Sequence, residues 1–344
     1  MTFVFLSHWG AERMATTERL AVALARKGHR VLHAVAPIRN PWRAFRYGRV
    51  ERPIRSIQLW SPAARLGVSS RLDARLGERQ LRAVLGGAPW VETTVVLQSP
   101  WLEPIARRLD VGRRIYAAVD EIAEVDSGPA CRWADAVFCL SEEVRAALGA
   151  RHPDRYVRTL GQCGRFAEEF DSKPERDATI VYAGGAHVYL LRDLLRSLAT
   201  LGAHVLLPGL DRAAAKSVFG TSLPRNVEPL GWLSGSAYPR AIARGWVGVV
   251  PYDHAHPRVR QSNPDKPYDY LLGGLCAITT PVPALAGVDG VCTVAPNQFV
   301  DAVRAALGSY GPEVRERQRA AGREHSADRY ADRFLAFMDE TRRA

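Results

Sequence analysis

The feature that most constrains the fold of this chain is a regular alternation of short apolar runs with longer stretches of helical periodicity. In the first half, runs rich in β-branched and aromatic residues lie at 3–6, 30–35, 93–97, 114–119 and 136–140. FVFLSH, for example, is followed by ERLAVALARKG, whose apolar residues recur at helical spacing, and then by HRVLHAVAP. Strands separated by helices in this way form parallel sheets. The pattern therefore predicts a parallel sheet covered by helices.

The alternation restarts after a polar stretch, DSKPERDA at 171–178, which has the composition of an interdomain connection. The strand-like runs that follow are TIVYAGG, AHVLLPG, NVEPLGW, WVGVVPY, LCAITT and VCTVAP. A length of 344 residues also fits two domains. We therefore expect an α/β protein with two Rossmann-like domains, 1–170 and 171–325. A C-terminal helix, 326–344, is expected to return to the first domain, with an apolar stripe that packs: Tyr330, Phe334, Phe337 and Met338.

Composition excludes some classes of protein and leaves others open. A hydrophobic fraction of 47% with 24% charged residues is that of a folded domain and excludes a disordered or collagen-like chain. The net charge of +11 is compatible with nucleic acid, an anionic membrane surface or an anionic small ligand. The arginines are scattered through segments of mixed sign, without zinc-finger spacing or a lysine-rich tail. We interpret most of them as solvated helix faces.

The lack of a recognisable targeting signal and the pattern of cysteines favour a cytoplasmic protein. No apolar run approaches the length of about 18 residues needed to cross a bilayer, and the chain opens on a strand-like segment. The 5 cysteines are odd in number, widely spaced and lack any CxxC pair. Neither a disulfide framework nor a zinc site is supported, and we expect small buried or half-buried thiols.

Residues 251–283 contain the strongest candidate site. Ligands of open α/β sheets bind where strands lead into helices, and here WVGVVPY is followed by a polar loop and a short helix, PYDYLLGG. Lys266, one of only four lysines, and Asp269 fall in its first turn. Backbone N–H groups and a lysine there suit a phosphate, and a carboxylate suits vicinal hydroxyls. By spacing alone, a surface ion pair between Lys266 and Asp269 explains the pattern equally well.

The same segment, NPDKPYDYLLGGLCAITTPVPAL, resembles the donor-binding segment of GT-B glycosyltransferases. It is similar to a family-4-like or glucuronosyltransferase-like branch with the motif Pro-x-Lys-x-x-Glu-Tyr-Leu-Ala-x-Gly. The matching residues are Pro264, Lys266, Asp269, Tyr270, Leu271 and Gly274. Trp9, Arg13 and the run GHRVL resemble the opening of the same family, so that the resemblance extends over nearly the whole chain.

This resemblance implies the GT-B fold, in which two Rossmann-like domains face each other across a cleft. A sugar would pass from a nucleotide diphosphate sugar on domain 171–325 to an acceptor on domain 1–170. Lys266 would contact the diphosphate and Asp269 the ribose, while the backbone of Gly184 and Gly185 would approach the phosphates. The remaining predicted donor-side residues are Arg258, Asn263 and Tyr268.

Departures from the family pattern leave the stereochemistry open, with inversion favoured. Asp269 replaces a longer Glu, Gln261 stands where retaining relatives have an acidic residue, and AHVYLLRD replaces the usual Arg and Lys after the glycine turn. An inverting enzyme needs a general base, for which Asp120, after RRIYAAV, is the best-placed carboxylate. A loop or helix-cap role for Asp120 is an equal alternative. His8 is the second candidate base.

Metal binding is not expected. His254, His256, Arg258 and Arg260 lie close together, but without carboxylate or cysteine partners they favour a mobile basic loop over the diphosphate. There is no convincing Asp-x-Asp motif either. We expect no cofactor and no essential metal, the substrate being a nucleotide diphosphate sugar whose base could be uridine, guanosine or thymidine.

The acceptor side is predicted from the first βα turn, which contains Trp9, Gly10 and Arg13. Trp9 would stack on an acceptor or pack in the core, the commoner role. The arginine-rich segment 40–55 would contact an acceptor or a membrane surface, although a solvated loop is the favoured interpretation. We expect peripheral membrane contact at most, no nucleic acid, and a monomer or weak dimer.

Two rival functions remain open at this point. The same fold could support a nucleotide-sugar epimerase or hydrolase, since a fold does not determine an activity. The basic charge also permits a nucleotide- or nucleic-acid-binding protein without catalysis. The acceptor itself, whether a natural product, another small molecule or a lipid-linked glycan, is not identified by any motif.

Overall fold

The computed structural model describes residues 1–8, 15–38, 54–61, 71–86, 90–119, 126–174, 177–220 and 222–342. The chain divides into two compact units. The first consists of residues 1–160 with 331–344, and the second of residues 161–330. Each is built around one parallel sheet.

The first unit contains a seven-stranded sheet in the order β3-β2-β1-β4-β5-β6-β7. All five strands predicted for this half are present, whereas β3 and β7 were missed because these edge strands are only partly buried. The elements, in chain order, are β1 (Thr2–Ser7), α1 (Thr16–Arg26), β2 (Arg30–Ile38), β3 (Arg55–Trp60), α2 (Arg71–Leu85), β4 (Thr93–Leu97), α3 (Glu103–Ala106), β5 (Arg113–Ala118), α4 (Gly128–Trp133), β6 (Ala136–Cys139), α5 (Glu142–Arg151) and β7 (Tyr156–Thr159).

The second unit contains a six-stranded sheet in the order β10-β9-β8-β11-β12-β13. All six predicted runs form its strands. The elements are β8 (Thr179–Val181), α6 (Arg192–Leu198), β9 (His204–Pro208), α7 (Arg212–Phe219), β10 (Val227–Gly231), α8 (Ala237–Ala243), β11 (Val247–Val250), α9 (Pro257–Gln261), α10 (Lys266–Gly273), β12 (Cys276–Thr279), β13 (Val291–Thr293), α11 (Phe299–Ser309), α12 (Pro312–Glu324) and α13 (Ala327–Glu340).

Burial explains why the strands read as continuous apolar runs. In β1, the residues from Phe3 to Leu6 are at most 1% exposed, because β2 and β4 flank the strand and helices cover the sheet. Local signals end and begin the helices: Asp211 caps α7 by accepting a hydrogen bond from the Ala214 N–H at 2.8 Å. At the end of α10, Gly274 adopts φ +81°, the left-handed conformation in which helices commonly end.

Helix α13 confirms the prediction of a C-terminal helix that returns to the first unit. From Ala331 onward it belongs to that unit. The Phe334 ring lies 6.0 Å from Phe3 and 5.7 Å from Phe138, and Lys27 pairs with Asp332 at 2.8 Å. The predicted apolar stripe is buried throughout its length: Tyr330, Phe334, Phe337 and Met338.

The polar segment before β8 is bound to helix α12 of the second unit. The Arg315 guanidinium donates to the carbonyl of Ser172 at 2.6 Å, and Arg319 donates to the carbonyl of Phe170. Phe170 itself is fully buried. Two arginines of a charged helix are thus anchors for the backbone rather than parts of a solvated face.

The cysteines are all free, as expected. Cys131, Cys139 and Cys163 are buried and Cys276 is half-buried, but Cys292 is exposed. The prediction of buried thiols is wrong at Cys292 because the edge strand β13 has no neighbour on its outer side. Within the described part of the chain, no helix is both long and apolar enough to span a bilayer.

Candidate functional site

The second sheet has a topological switch point between β8 and β11. The chain winds outward from β8 through β9 to β10, and then crosses to the other side of β8 to form β11, β12 and β13. At such a point the loops leaving the two central strands diverge and open a crevice at their carboxyl ends. The two loops, residues 182–191 and 251–265, contain most of the predicted donor-side residues.

Lys266 occupies the first position of α10 and is half-buried. Its ammonium lies 3.1 Å from Oδ1 of Asp265, the residue that precedes the helix. Burial opposes the charged form of Lys266, but the Asp265 carboxylate outweighs it, with support from the hydroxyls of Tyr252 and Tyr270, and the pKa of the ammonium is raised. The lysine is therefore a fixed positive charge at neutral pH.

The glycine turn after β8 lies directly against this lysine. A Cβ atom added to Gly184 would meet Cε of Lys266 at 3.3 Å and Oη of Tyr182 at 2.9 Å. The structure thus brings together Gly184 and Lys266, which are 82 residues apart in the sequence. Because the turn has no side chain here, the buried Gly184 backbone packs directly against the Lys266 side chain.

Two tyrosine hydroxyls hold this turn in place. Tyr182 donates to the carbonyl of Gly185 at 2.7 Å, and the Tyr270 hydroxyl accepts from the Ala183 N–H at 2.8 Å. The ring of Tyr270 crosses β11 at Gly248, where any Cβ would collide with it. Tyr270 of the donor motif therefore fastens α10 to the glycine turn rather than facing a ligand.

Gly184 of the turn forms a row with Gly209 and Gly231 along the carboxyl edge of the sheet. A Cβ on Gly209, which has φ +101°, would meet the Gly184 carbonyl oxygen at 2.9 Å, and the Gly209 N–H donates to the carbonyl of Gly231 at 2.7 Å. Trp232 follows Gly231 directly and is 70% exposed. The row of glycines, with Gly184 buried and Gly209 and Gly231 half-buried, thus runs across the ends of β8, β9 and β10 from Lys266 to an exposed indole.

Asp269 lies inside the unit and is fully buried. Its Oδ1 accepts a hydrogen bond from the Arg165 N–H at 2.8 Å. The Arg165 side chain lies over the Tyr238 ring at 4.7 Å and pairs with Glu169 at 3.3 Å. Asp269 therefore anchors the segment around Arg165 on α10. It forms no ion pair with Lys266, whose carboxylate partner is Asp265, and its ribose contact stays a prediction.

Asn263 and Tyr268 also belong to the internal packing of this unit. The Tyr268 hydroxyl donates to Oδ1 of Asn263 at 3.0 Å, and the Asn263 carbonyl accepts from Gln162 at 3.1 Å. The Tyr268 ring contacts His325, with centroids 5.0 Å apart. Both predicted donor residues thus shape the loop before α10, and Asn263 is only 8% exposed.

The basic segment 254–260 is not an irregular loop over its whole length. Pro257–Gln261 form the short helix α9, because Pro257 suits a first helical turn and Nδ1 of His256 accepts from the Arg258 N–H at 3.2 Å. The expectation of a loop is corrected for these residues. Arg258 is exposed, and among the described residues no group of three or more His, Cys, Asp or Glu could hold a metal ion.

His187 is a residue of the crevice that the sequence analysis missed. It lies in the turn after β8, and its Nε2 is 3.2 Å from the position that a Cβ of Gly185 would take. Burial lowers the pKa of its imidazole, and the charges of Lys266 and Arg258 lower it further. The one available signal was its place in the turn after a predicted glycine pair.

The first unit has its own switch point between β1 and β4. His8, the second candidate base, follows β1 and contacts the half-exposed Trp101 edge-on, with ring centroids 5.1 Å apart. Asp120, Trp9, Gly10 and Arg13 lie outside the described residues, as does most of the arginine-rich segment.

A buried polar network lies beside His8. The Ser7 hydroxyl is 2.7 Å from Oε1 of Glu18 and 2.5 Å from the amide oxygen of Gln98. His33 Nε2 lies 3.1 Å from the same Glu18 oxygen, and both side chains are fully buried. The network joins the ends of β1 and β4 to the first turn of α1.

Comparison with known proteins supports the fold alone. No family model matches the chain, and no curated protein matches its sequence. Among solved structures, sucrose-phosphate synthase from Thermosynechococcus elongatus superposes with a TM-score of 0.67 at 14% identity, covering 99% of both chains. A UDP-forming α,α-trehalose-phosphate synthase from Burkholderia vietnamiensis gives 0.67 at 13% identity, covering 100% of both.

AviGT4, a glycosyltransferase involved in avilamycin A biosynthesis, gives a TM-score of 0.62 at 16% identity, covering 99% of this chain and 97% of its own. These structures are GT-B glycosyltransferases. Together with the two parallel, doubly wound sheets, the likeness assigns the chain to the GT-B fold. The family-4-like branch inferred from the donor motif stays a prediction.

Proposed function

We propose that this protein is a glycosyltransferase that transfers a sugar from a nucleotide diphosphate sugar to an acceptor. The observation that carries the proposal is the charged Lys266 packed against the glycine turn at the switch point of the second sheet. The names of the matching structures, a UDP-forming synthase and a glycosyltransferase, support the same chemistry.

The diphosphate would lie beside the glycine turn and the ammonium of Lys266. Departure of a nucleoside diphosphate builds negative charge on the leaving oxygen, and a fixed ammonium close to it stabilises the transition state more than the ground state. The Asp265 carboxylate keeps the lysine charged before the ligand arrives. No metal ion is required in this scheme, and no cofactor.

The nucleoside would extend from Gly184 along the row of glycines toward Trp232. Adjacent strands are about 4.8 Å apart, so that the step from β8 to β10 spans about 10 Å, comparable with an extended ribosyl diphosphate. The exposed indole of Trp232 offers a face on which a base can stack. Stacking tolerates any base, so this proposal leaves uridine, guanosine and thymidine diphosphates open.

On the acceptor side we propose Asp120 as general base of an inverting reaction, with His8 as the alternative. Trp9, Gly10 and Arg13 are proposed acceptor contacts. Changing Asp120→Asn should abolish sugar transfer while nucleotide binding is retained, because the amide cannot accept the acceptor proton. Unchanged turnover would remove Asp120 from the mechanism.

A thermal-shift panel of UDP, GDP, dTDP and their sugar conjugates tests the proposal. A ligand at a hundredfold its Kd adds about 2.7 kcal/mol to the stability of the folded state, which is a readily measured shift. We expect a shift with at least one nucleoside diphosphate. No shift with any of them, together with salt-sensitive binding to DNA, would favour the nucleic-acid alternative. Consumption of the sugar donor without any acceptor would favour the epimerase or hydrolase.

A further inference from the structure

His187 is held in a defined orientation within the turn that follows β8. Its ring stacks on that of Tyr189, with centroids 4.9 Å apart and an interplanar angle of 11°. The Nε2 edge lies beside Gly185, where an added Cβ would meet it at 3.2 Å. The imidazole thus stacks on an aromatic ring beside the glycine turn and remains exposed to solvent.

The stacking partner is itself fixed to the neighbouring loop. The Tyr189 ring contacts the Tyr252 ring edge-on, with centroids 5.0 Å apart. The backbone carbonyl of Tyr189 accepts a hydrogen bond from the Asp253 N–H at 2.8 Å. Leu190 and Tyr252 form an isolated antiparallel bridge. The turn after β8 and the loop after β11 thus form one connected surface at the switch point, and His187 is part of it.

The two charges that act most directly on His187 are positive. Lys266 and Arg258 both disfavour its protonated form, in addition to partial burial. The Asp265 carboxylate is already engaged by Lys266, and Asp253 accepts from the Ala255 N–H at 3.0 Å. The charged and titratable groups on the elements packed around this turn include Lys266, Asp265, Arg258, His256, Asp253, Tyr182, Tyr189, Tyr252 and Tyr270.

The turn itself supplies no permanent positive charge, since from Tyr182 to Leu191 it contains no lysine or arginine. A bound diphosphate would bring two negative charges beside Lys266. Those charges would offset the effect of Lys266 and Arg258 on His187 and thereby favour an imidazolium that can donate a hydrogen bond.

We propose that His187 is a proton-linked contact for the diphosphate, taking up one proton from solvent on its imidazole as the ligand binds beside Lys266. The inference rests on the proposed function, because it assumes a diphosphate at the glycine turn. Only a proton moves, from water to the unprotonated ring nitrogen. Binding is then tighter at lower pH, by at most about tenfold per pH unit for one coupled proton.

Isothermal titration calorimetry measures this proton directly. We would titrate the full-length protein with UDP-glucose, GDP-mannose and dTDP-glucose at pH 7, in two buffers of different ionisation enthalpy. Sugar diphosphates are used because both phosphates are esterified and do not titrate near neutral pH. We expect a fractional proton uptake for the wild type, and a Kd that decreases as the pH is lowered from 8 to 6.

The variant His187→Gln should bind without proton uptake and with a Kd that no longer depends on pH. At pH 8 the affinity of the variant should therefore approach that of the wild type. At pH 6 it should be lower than that of the wild type at the same pH. His204→Gln is the matched control, since His204 is exposed at the opposite, amino-terminal edge of the same sheet, and it should retain the proton uptake. Thermal midpoints verify that both variants fold.

The outcomes separate the two proposals. If the wild type binds none of the sugar diphosphates, the proposed function fails, and this inference fails with it. If the wild type binds without proton uptake, or if His187→Gln takes up the same proton, the proton link is wrong and the proposed function stands. An equal loss of affinity at every pH in His187→Gln would show a purely structural role and would also overturn the link.

Discussion

Lys266 and Asp269 show how residues with the same sequence signal acquire different roles. Both lie in the first turn of α10, yet the lysine side chain lies against Gly184 while the carboxylate is fully buried on the Arg165 N–H. A surface ion pair between the two, which the spacing allowed, is replaced by the pair with Asp265. Neighbouring segments decided which side chain faces the crevice.

Removing the Lys266 charge should weaken donor binding strongly. We expect Lys266→Met to raise the Kd for the preferred nucleoside diphosphate by about 10- to 150-fold, since a hydrogen bond to a charged group contributes about 1.5–3 kcal/mol. Calorimetry or thermal shift provides the Kd. Lys216→Met is the control, because Lys216 is exposed on α7 and should bind as the wild type does. Equal affinity in Lys266→Met would exclude a diphosphate at this lysine.

A second residue-scale prediction concerns the buried pair Glu18–His33. Burial opposes the charge of Glu18, but His33 and then Ser7 outweigh it and lower the pKa of the carboxyl below its ordinary value of 4.5. Removing one partner of a buried pair costs about 3–5 kcal/mol. Glu18→Ala should therefore lower the thermal midpoint by several degrees, whereas Glu142→Gln, in an exposed pair with Arg145, should not.

The same pair sets the sign of a pH dependence. Because the folded pKa of Glu18 lies below the unfolded one, the carboxylate stabilises the fold above about pH 4.5 and this contribution is lost as the pH falls through the folded value. Chemical unfolding followed between pH 3 and pH 6 should show a shallower decline for Glu18→Gln than for the wild type. Parallel curves would mean that Glu18 does not titrate in this range.

At the scale of elements, the contact between α10 and β11 positions the glycine turn. Tyr270 reaches across Gly248 to the Ala183 N–H, and its hydroxyl also lies 3.3 Å from the carbonyl of Val249. Such a crossing requires a residue without a Cβ on the strand. A motif tyrosine and a strand glycine, 22 residues apart in the sequence, thus act as one packing unit.

We expect Gly248→Ala to destabilise the second unit, because its Cβ would collide with the Tyr270 ring. Overpacking of this kind costs about 1–3 kcal/mol. Hydrogen exchange of the β8 and β11 amides should accelerate, and nucleotide affinity should fall with the displaced turn. Gly149→Ala is the matched control, since nothing lies within 4 Å of its added Cβ in α5. Normal exchange rates in Gly248→Ala would contradict this account of the clamp.

Elements with a strong local signal were predictable, and those that depend on neighbours were not. The central strands were found because burial on both faces makes them continuous apolar runs. β3 and β7 escaped because half-buried edge strands resemble polar loops in sequence. Helix α9 escaped because its start depends on a His256 side-chain cap, for which the usual Ser, Thr, Asp or Asn is absent.

At the scale of the whole molecule, each of the two sheets has a switch point, and the two are chemically different. In the second sheet it is surrounded by backbone glycines, Lys266 and His187. In the first it contains the buried network of Ser7, Glu18 and His33 beside His8. Nucleic-acid binding is thus not needed to explain the net charge of +11, because part of the charge would belong to the proposed anion site and part anchors backbone carbonyls.

This division leads to a prediction about metal dependence. The proposed donor site relies on the ammonium of Lys266 for its positive charge, so the Kd for the preferred nucleotide sugar should be the same in excess chelator and in millimolar Mg²⁺. Paired calorimetric titrations provide the comparison. A large loss of affinity in chelator would show that a divalent cation accompanies the diphosphate and would refute a metal-independent reaction.

The sequence by itself determined the α/β class, the central strands of both sheets and the position of Lys266 at a helix start, because these follow from local periodicity and helix-capping rules. Only the tertiary structure decided that Tyr270, Asn263, Tyr268 and Asp269 pack inward, and that His187 lies in the crevice. Those roles depend on contacts between segments far apart in the chain, such as Gly184 against Lys266 and Asp269 on Arg165. Local sequence does not encode which of several polar side chains a distant backbone will bury.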